Sequence, residues 1–273
     1  MAYLNGRKIL TVVQVVGGGG TEDLDNLIKR TITTISNNNV TYVGEYAFKN
    51  CTSLTSATFS NATQVRQNAF EGCSSLANFD FTNIYNIYQQ AFKDCTLLSF
   101  ILDDTTFTKI NSVGIGGLQN TAITSINSTK LANINSSAFM DCTSLTSVTI
   151  ILSSGAIDIK GSAFYGCTSL TTVNLSECYF NTSIFYGCTN LTTVTIDSVN
   201  TINQYTFYNC TNLQTITLKK QSVVTLSNTN AFTGVNGTVT IYVPSNLVDS
   251  YKAATNWITL YNNNKVNFVA IPS

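Results

Sequence analysis

One repeated pattern holds seven of the eight cysteines: Phe-x-x-Cys-[Thr/Ser]-x-Leu, followed by two apolar residues two positions apart. The clearest copy, AFYGCTSLTTVNL, occupies residues 163–175. The seven cysteines of the pattern are 22, 22, 47, 25, 21 and 22 residues apart. The step of 47 residues spans two periods, and the copy without a cysteine lies at Asn120. There, Ile123 and Ile126 take the apolar positions. Recurrence at this period is the signature of a solenoid.

Each copy predicts a short strand that cannot be stable alone. Val173 and Leu175 are two residues apart and therefore share one face of a strand, whereas Thr172 and Asn174 occupy the other face. Stacking the copies in parallel pairs the strand edges and joins the apolar faces into one core. We therefore expect about ten coils, because less complete copies extend the pattern at both ends, through Ile32 and Ile35 and through Phe232, Val235, Ile241 and Val243.

The pattern resembles the BspA-like class of leucine-rich repeats, whose copies read roughly I-x-x-x-A-F-x-x-C-x-x-L-x-x-[VI]-x-[IL]-P. Residues 41–59 match it almost throughout, although the final proline is nearly absent from this chain. The resemblance implies an α/β-type, right-handed solenoid with a parallel sheet on its concave face, short or irregular structure on the return side, and helical caps. It also implies recognition or adhesion at a cell surface. The matching Ala-Phe pairs begin at Ala47, Ala69, Ala91, Ala138, Ala163 and Ala231.

We expect three parts in the chain. Residues 1–20 predict an arm with a hairpin turn at Asn5-Gly6, a strand over 10–16 and a glycine linker. Residues 21–243 form the solenoid, in which 21–30 have the apolar spacing and charge order of a capping helix. Residues 244–273 predict a C-terminal cap: a helix over 245–257 with Ser245 as its N-cap, a turn at 261–264 and a closing strand over 266–271. Trp257 is expected to cover the last coil.

Two places depart from the pattern. If Cys95 fixes the register, Phe100 and Leu102 point outward; if the strand is shifted by one residue, Leu97, Phe100 and Leu102 form the inward set. We favour the shift because it buries more apolar surface. Residues 103–120 contain the run Gly114-Ile115-Gly116-Gly117 and predict an irregular bulge in the solenoid.

Composition argues against catalysis, cofactors and nucleic acid. The chain has no histidine, so Ser-His-Asp and Cys-His catalysis and the common Cys/His zinc sites are excluded. Its net charge is zero and only 10% of its residues are charged, which does not suit binding to a phosphate backbone. The repeat-locked cysteines predict buried free thiols, whereas Cys178 lies outside the pattern and is the one to test for exposure. Asp103 and Asp104 predict a solvated turn in preference to a weak calcium site.

The outward strand positions are the candidate ligand face. They form two polar rows, and the face proposed from them consists of Thr149, Thr172, Asn174, Thr193, Thr195, Thr215, Thr217 and Tyr242. We expect a non-enzymatic module that binds a protein or glycan, for example one on a host surface or in the extracellular matrix. An alternative is a structural or assembly component attached through residues 1–20, whose first residues weakly resemble phage tail-associated proteins. The regular threonines also suggest an ice-binding surface, which a thermal-hysteresis assay tests.

Location stays open at this point. The resemblance implies an extracellular or surface protein, but residues 1–16 lack the length of apolar segment and the cleavage site of a signal peptide. No run of apolar residues in the sequence is long enough for a membrane span. Oligomeric state is not predicted.

Overall fold

The computed structural model describes residues 31–272 and the backbone of residues 3–4 and 7–8. Two α-helices, α1 (Val248–Ala253) and α2 (Trp257–Asn262), lie near the C-terminus. The strands in chain order are β1 (Tyr3–Leu4), β2 (Arg7–Lys8), β3 (Thr34–Ser36), β4 (Tyr42–Val43), β5 (Ser56–Thr58), β6 (Gln64–Val65), β7 (Asn78–Phe79), β8 (Asn86–Ile87), β9 (Ile101–Asp103), β10 (Ser112–Val113), β11 (Ser125–Ser128), β12 (Asn133–Ile134), β13 (Ser147–Ile150), β14 (Ile157–Ile159), β15 (Thr172–Phe180), β16 (Thr193–Val199), β17 (Thr201–Ile202), β18 (Thr215–Leu218), β19 (Thr225–Leu226), β20 (Val239–Val243) and β21 (Val266–Ala270).

The strands that follow the repeated leucine stack into a parallel ladder, which we call the first ladder. It has one run of β3, β5 and β7 and a second run of β9, β11, β13, β15, β16, β18, β20 and β21. The strands of neighbouring coils pair in register: Val173 pairs with Val194, and both side chains are buried. The predicted parallel sheet and about ten coils are therefore confirmed.

A second parallel ladder lies on the return side. It joins β4, β6, β8, β10, β12 and β14 and continues into residues 178–180 of β15, while β17 pairs with β19. Because β15 and β16 are long enough to pass through both ladders, the ladders merge there into one sheet. The strands on the return side are short, as expected. Their regular parallel pairing was not predicted from the sequence. The signal was the apolar residue five positions before each phenylalanine, such as Val43 before Phe48, which is buried.

The Phe-x-x-Cys segment forms a turn, and turns of neighbouring coils are also hydrogen-bonded. The amide of Phe48 donates to the carbonyl of Ala69 at 2.7 Å, and that of Asn50 to the carbonyl of Glu71 at 2.7 Å. Two residues four apart have positive φ in this turn, 56° at Tyr46 and 61° at Asn50, and the same pair of positions recurs along the solenoid. Backbone hydrogen bonds thus join neighbouring coils at these turns as well as in the two ladders, which satisfies polar groups that would otherwise be buried unpaired.

The core is a column of repeated side chains. Phe48, Phe70 and Phe92 stack with ring centroids 5.1 and 5.2 Å apart, and each is fully buried. A buried ring of this size contributes about 1.5–3 kcal/mol. All eight cysteines are free and buried, which confirms the prediction for the repeat-locked thiols and shows that Cys178, whose exposure was left open, is also buried. The Sγ atom of Cys95 donates to the carbonyl of Phe70 at 3.1 Å, which links adjacent coils inside the core.

The bulge predicted over residues 103–120 is wrong. Phe107, Ile110 and Val113 are fully buried, and the glycine-rich run makes an ordinary turn with Leu118 in the phenylalanine position. Thr121 takes the cysteine position, where its hydroxyl donates to the carbonyl of Leu118 at 2.8 Å. The repeat cysteines donate instead to the preceding coil, and Cys142 of the next turn donates to the same Leu118 carbonyl at 3.1 Å. Leucine and threonine therefore fill the repeat positions, although the threonine bond stays within its own turn.

The favoured register shift in the fourth coil is confirmed in part. Leu102 is fully buried and Phe100 packs against the core, whereas Leu97 is 58% exposed. Leu98 stays inward in the frame set by Cys95, so the extra residue is inserted after it, at Ser99.

The C-terminal cap differs from the single helix expected over 245–257. A 3₁₀ turn (Ser245–Leu247) leads into α1, residue Ala254 is extended, and α2 begins only at Trp257. Asn256 interrupts the helix with a φ of 65°, and the side chain of Ser245 caps neither segment. The cap is nevertheless closed by β21, which pairs in parallel with β20 as the last strand of the first ladder.

At the N-terminus, β1 and β2 form an antiparallel pair that matches Tyr3 with Lys8 and Leu4 with Arg7. This pairing agrees with the hairpin expected at Asn5-Gly6. The strand expected over 10–16 and the capping helix over 21–30 lie outside the described residues. None of the helices in the described part of the chain combines the length and apolar character that crossing a bilayer needs.

Candidate functional site

The first ladder carries the outward side chains that the sequence nominated. Thr172, Thr193 and Thr215 are direct register partners across three coils. The second row is equally aligned, in the order Thr149, Asn174, Thr195, Thr217 and Tyr242. All eight residues therefore lie on one surface, at the regular spacing of about 4.8 Å between neighbouring strands. Their side chains are exposed or half-buried.

Most of the polar groups in these rows are uncommitted. The hydroxyl of Thr215 donates to that of Thr193 at 3.2 Å, and the structure gives no other side-chain hydrogen bond between any of these eight residues and the described part of the chain. The threonines just before the strands differ, because Thr146 and Thr171 donate to the backbone of the preceding coil at 3.0 and 2.9 Å. One set of threonines therefore supports the solenoid, and the other is available to a ligand. Sequence alone does not separate the two sets.

The first ladder is interrupted between β7 and β9. No backbone pairing joins these two strands, although the coils remain in contact through the second ladder and through ring packing. The inserted Ser99 lies at this break and offsets the fourth strand from the third. The break opens a pocket of about 230 Å³ that includes the partly exposed rings of Phe79 and Phe100. Its polar edge includes Asn78 and Asp80.

The pocket combines features that the rows lack. Aromatic rings supply apolar contact area, and the neighbouring carboxylate of Asp80 accepts hydrogen bonds. The pocket is therefore able to accommodate an apolar side chain that also carries a hydrogen-bond donor. The sequence signal for this place was the ambiguous register around Phe100, which indicated an exposed apolar patch as the alternative to burial.

The thiols are not arranged for reactivity. Burial raises the pKa of Cys142 to about 11 and that of Cys210 to about 12, so both remain protonated near neutral pH. Burial, followed by the charge of Cys210, raises the pKa of Cys188 well above its usual range. Nucleophilic and metal-binding cysteines need the thiolate form. Within the described residues, no three acidic, cysteine or histidine side chains are close enough to bind a metal ion.

Asp103 and Asp104 act in the structure of adjacent turns. Asp103 accepts hydrogen bonds from the amides of Thr105 and Thr106 at 3.0 and 2.8 Å, and the bond from the Thr106 amide is the main cause of its lowered pKa. Asp104 accepts from the hydroxyl of Ser128 at 3.0 Å in the next coil. These contacts agree with the predicted turn.

Sequence analysis missed a tyrosine stack on the return side. The rings of Tyr165, Tyr186 and Tyr208 lie 4.7 and 4.6 Å apart and nearly parallel, with the ring of Tyr205 against the edge of the last. The signal was the dipeptide Phe-Tyr in three consecutive repeats. Because the rings cover one another's faces, they stabilise neighbouring turns more than they offer a flat binding surface.

Comparison with solved structures gives similar architectures. A leucine-rich repeat protein from Treponema pallidum has a TM-score of 0.51 and 22% identity, covering 60% of this chain and 78% of its own. A leucine-rich repeat protein from Bacteroides ovatus has a TM-score of 0.40 and 17% identity, covering 92% and 94%. A leucine-rich cell surface protein from Faecalibacterium prausnitzii has a TM-score of 0.40 and 18% identity, covering 89% and 80%. No curated protein matches the chain.

The family is established by the repeat itself. A model of the BspA-type leucine-rich repeat region matches six copies, over residues 26–146 and 132–255. These ranges contain the Phe-x-x-Cys turns, the second ladder and every strand of the first ladder except β21. The chain therefore belongs to the BspA-type leucine-rich repeat family.

Proposed function

We propose that the chain is a non-enzymatic binding module that recognises an extended segment of another protein through its first ladder, with a glycan as the alternative ligand. The observation that carries the proposal is the pair of aligned rows in which all side chains but those of Thr193 and Thr215 make no hydrogen bond to a described residue. An extended polypeptide presents donors and acceptors repeatedly along its length and can match such rows. The pocket beside Phe79 and Phe100 supplies an anchor at one end.

Charge favours a polar, uncharged contact over electrostatic capture. The eight row residues carry no formal charge, so affinity must come from hydrogen bonds and from apolar contact at the pocket. Binding through this face should consequently depend weakly on salt, because screening acts on charged pairs. The family membership supports an interaction role.

The test is binding to an array of extracellular proteins and glycans. Thr172→Lys combined with Thr195→Lys places two long charged side chains on the face at positions without existing side-chain bonds. We expect at least a tenfold loss of affinity, equivalent to about 1.4 kcal/mol. Thr143→Lys combined with Thr168→Lys is the matched control, because both residues are exposed on turns outside the ladder. Equal binding by the two double variants would place recognition elsewhere.

Phe100→Ala separates the pocket from the rows. We expect weaker binding with little change in salt dependence, because the lost contact is apolar. Circular dichroism and urea unfolding establish that the variant remains folded. A folded Phe100→Ala variant that binds as tightly as the parent would remove the pocket from the proposed site.

The β1–β2 pair favours a second candidate function, in which residues 1–20 attach the solenoid to a larger assembly. Its antiparallel pairing is separate from both ladders. Deleting residues 1–20 would abolish oligomers and leave ligand binding intact if the arm serves attachment. Sedimentation velocity measures the first effect, and the array measures the second.

A further inference from the structure

A depression on the second ladder lies where two adjacent coils present Arg66 and Tyr88. These residues occupy equivalent register positions, each directly after a buried strand residue, and Gly44 and Gly114 take the same position in the flanking coils. A Cβ at Gly114 would come within 2.7 Å of the backbone of Tyr88, so glycine allows these two turns to approach closely. The pocket beside Arg66 and Tyr88 has a volume of about 310 Å³.

Arg66 is a cation without a charged partner. Its guanidinium lies 4.1 Å from the ring centre of Tyr42, its Nε atom is buried without a hydrogen-bond partner, and it forms no ion pair with any residue in the described part. Lys160 occupies the equivalent register position in a later coil and pairs with Asp158 at 2.8 Å. The ladder therefore neutralises one cation and leaves the other available. A guanidinium held against a ring is suited to bidentate binding of a carboxylate.

We propose that this depression binds a single carboxylate-bearing sugar, such as a hexuronic acid unit of a polysaccharide. Arg66 would bind the carboxylate, and the exposed ring of Tyr88 would pack against the sugar ring. Gln67, Gln89 and Glu45 also line the pocket and would hydrogen-bond the hydroxyl groups. The volume is at the lower end of the range of about 300–1,000 Å³ for small-molecule sites, which fits one ring.

Glu45 distinguishes the proposed ligand from a simple anion. Glu45 is exposed and lines the pocket, so its carboxylate can accept hydrogen bonds from sugar hydroxyls, which a simple anion such as acetate lacks. A neutral sugar satisfies Glu45 and the glutamines but leaves Arg66 without an anionic partner. A hexuronic acid supplies a carboxylate for Arg66 and hydroxyl groups for Glu45 and the glutamines. This site is separate from the first ladder.

The experiment is an NMR titration that follows the Arg66 Nε–Hε signal. The chain has three arginines, so the spectrum of Arg66→Lys assigns the signal by its loss. The titrants are glucuronate, glucose and acetate. We expect saturable shifts with glucuronate at a Kd on the order of 1 mM, which corresponds to about −4.1 kcal/mol. Glucose and acetate should bind at least tenfold more weakly. Comparable shifts from acetate, or no saturation with glucuronate, would overturn the proposal.

Variants connect the signal to the pocket. Arg66→Gln should weaken glucuronate binding at least tenfold, whereas Lys160→Gln removes the same charge at the equivalent position and should leave it unchanged. Glu45→Gln should narrow the difference between glucuronate and acetate by weakening glucuronate binding, because an amide is a weaker acceptor for hydroxyl groups than a carboxylate. Binding to Arg66→Gln, which has no Arg66 signal, is measured by saturation-transfer NMR, because that method observes the ligand. Equal losses in Arg66→Gln and Lys160→Gln would reduce the effect to general charge and refute the site.

Discussion

The indole nitrogen of Trp257 donates a 2.7 Å hydrogen bond to the carbonyl oxygen of Val224. The amide of the same valine donates to the hydroxyl of Tyr251 at 3.0 Å. Both aromatic side chains are fully buried and pack against Phe268 of the closing strand. The cap thus satisfies both backbone polar groups of one residue in the coil that it covers.

Tyr251→Phe should lower the free energy of unfolding by about 1–3 kcal/mol, because it leaves the buried Val224 amide without an acceptor. Urea unfolding followed by circular dichroism measures the change. Tyr179→Phe is the matched control, since Tyr179 is exposed and should change stability by less than about 0.5 kcal/mol. Similar values for the two variants would show that water or rearrangement satisfies the amide.

Replacing cysteine by serine should have different effects at two sites. At Cys167 the new hydroxyl can donate to the Phe139 carbonyl, which the thiol now contacts at 3.1 Å. Cys178 is buried but makes no hydrogen bond to a described residue, so Cys178→Ser buries an unsatisfied hydroxyl. We expect Cys178→Ser to be more destabilising than Cys167→Ser by about 1–3 kcal/mol. Urea unfolding measures all variants, and Cys167→Ala and Cys178→Ala show how much of each change in stability comes from lost side-chain volume.

The thiols should make stability fall in alkaline solution. Burial raises the pKa of Cys142 to about 11 and that of Cys210 to about 12, whereas an unfolded thiol titrates near about 8.5. Between these values the unfolded chain releases protons that the folded chain retains. The stabilisation is therefore complete below the unfolded pKa and is lost as pH rises toward the folded pKa, by up to about 1.4 kcal/mol per pH unit per thiol.

Unfolding free energies measured from pH 7 to 10 check this slope, and the double variant Cys142→Ala, Cys210→Ala should reduce it. Native thiols should also react slowly with a disulfide reagent at pH 8 and completely in urea. Rapid modification of all thiols in the native protein would contradict their burial.

Two glycines with positive φ should respond differently to alanine. Gly166 has a φ of 70°, and a Cβ there would lie 2.3 Å from a carboxylate oxygen of Asp141 in the preceding turn. Gly155 has a φ of 79°, but a Cβ there would meet nothing within 4 Å. Gly155→Ala should cost only the backbone strain of about 1–2 kcal/mol. Gly166→Ala should cost more, because the side chain of Asp141 must also rotate away; thermal unfolding ranks the two.

The repeat was predictable because its signal is repeated. Phe48, Cys51 and Leu54 are each weak evidence alone, but the same spacing in successive coils leaves one way to bury them. The outward rows followed from the period of two within each strand. For the same reason, Val173 and Thr172 could be assigned to opposite faces from the sequence.

The failures occurred where one residue changes the local frame. A single insertion at Ser99 reverses which of Phe100 and Ile101 faces the core. Both registers fit the same amino-acid sequence, so the spacing alone does not decide between them. Asn256 divides the expected cap helix through its backbone conformation, which apolar spacing does not reveal. The Arg66 pocket is lined by residues from separate coils, among them Glu45, Arg66 and Tyr88, so it becomes visible only when the coils are in register.

The break between β7 and β9 also has a mechanical meaning. Elsewhere on the first ladder, directional hydrogen bonds hold adjacent strands at a fixed separation and angle. At the break, the coils meet partly through the rings of Phe79, Phe81 and Phe92, whose contacts are less directional and tolerate small rotations. Bending of the solenoid should therefore concentrate at this junction. The two runs of the first ladder can then change their relative tilt while each run stays rigid.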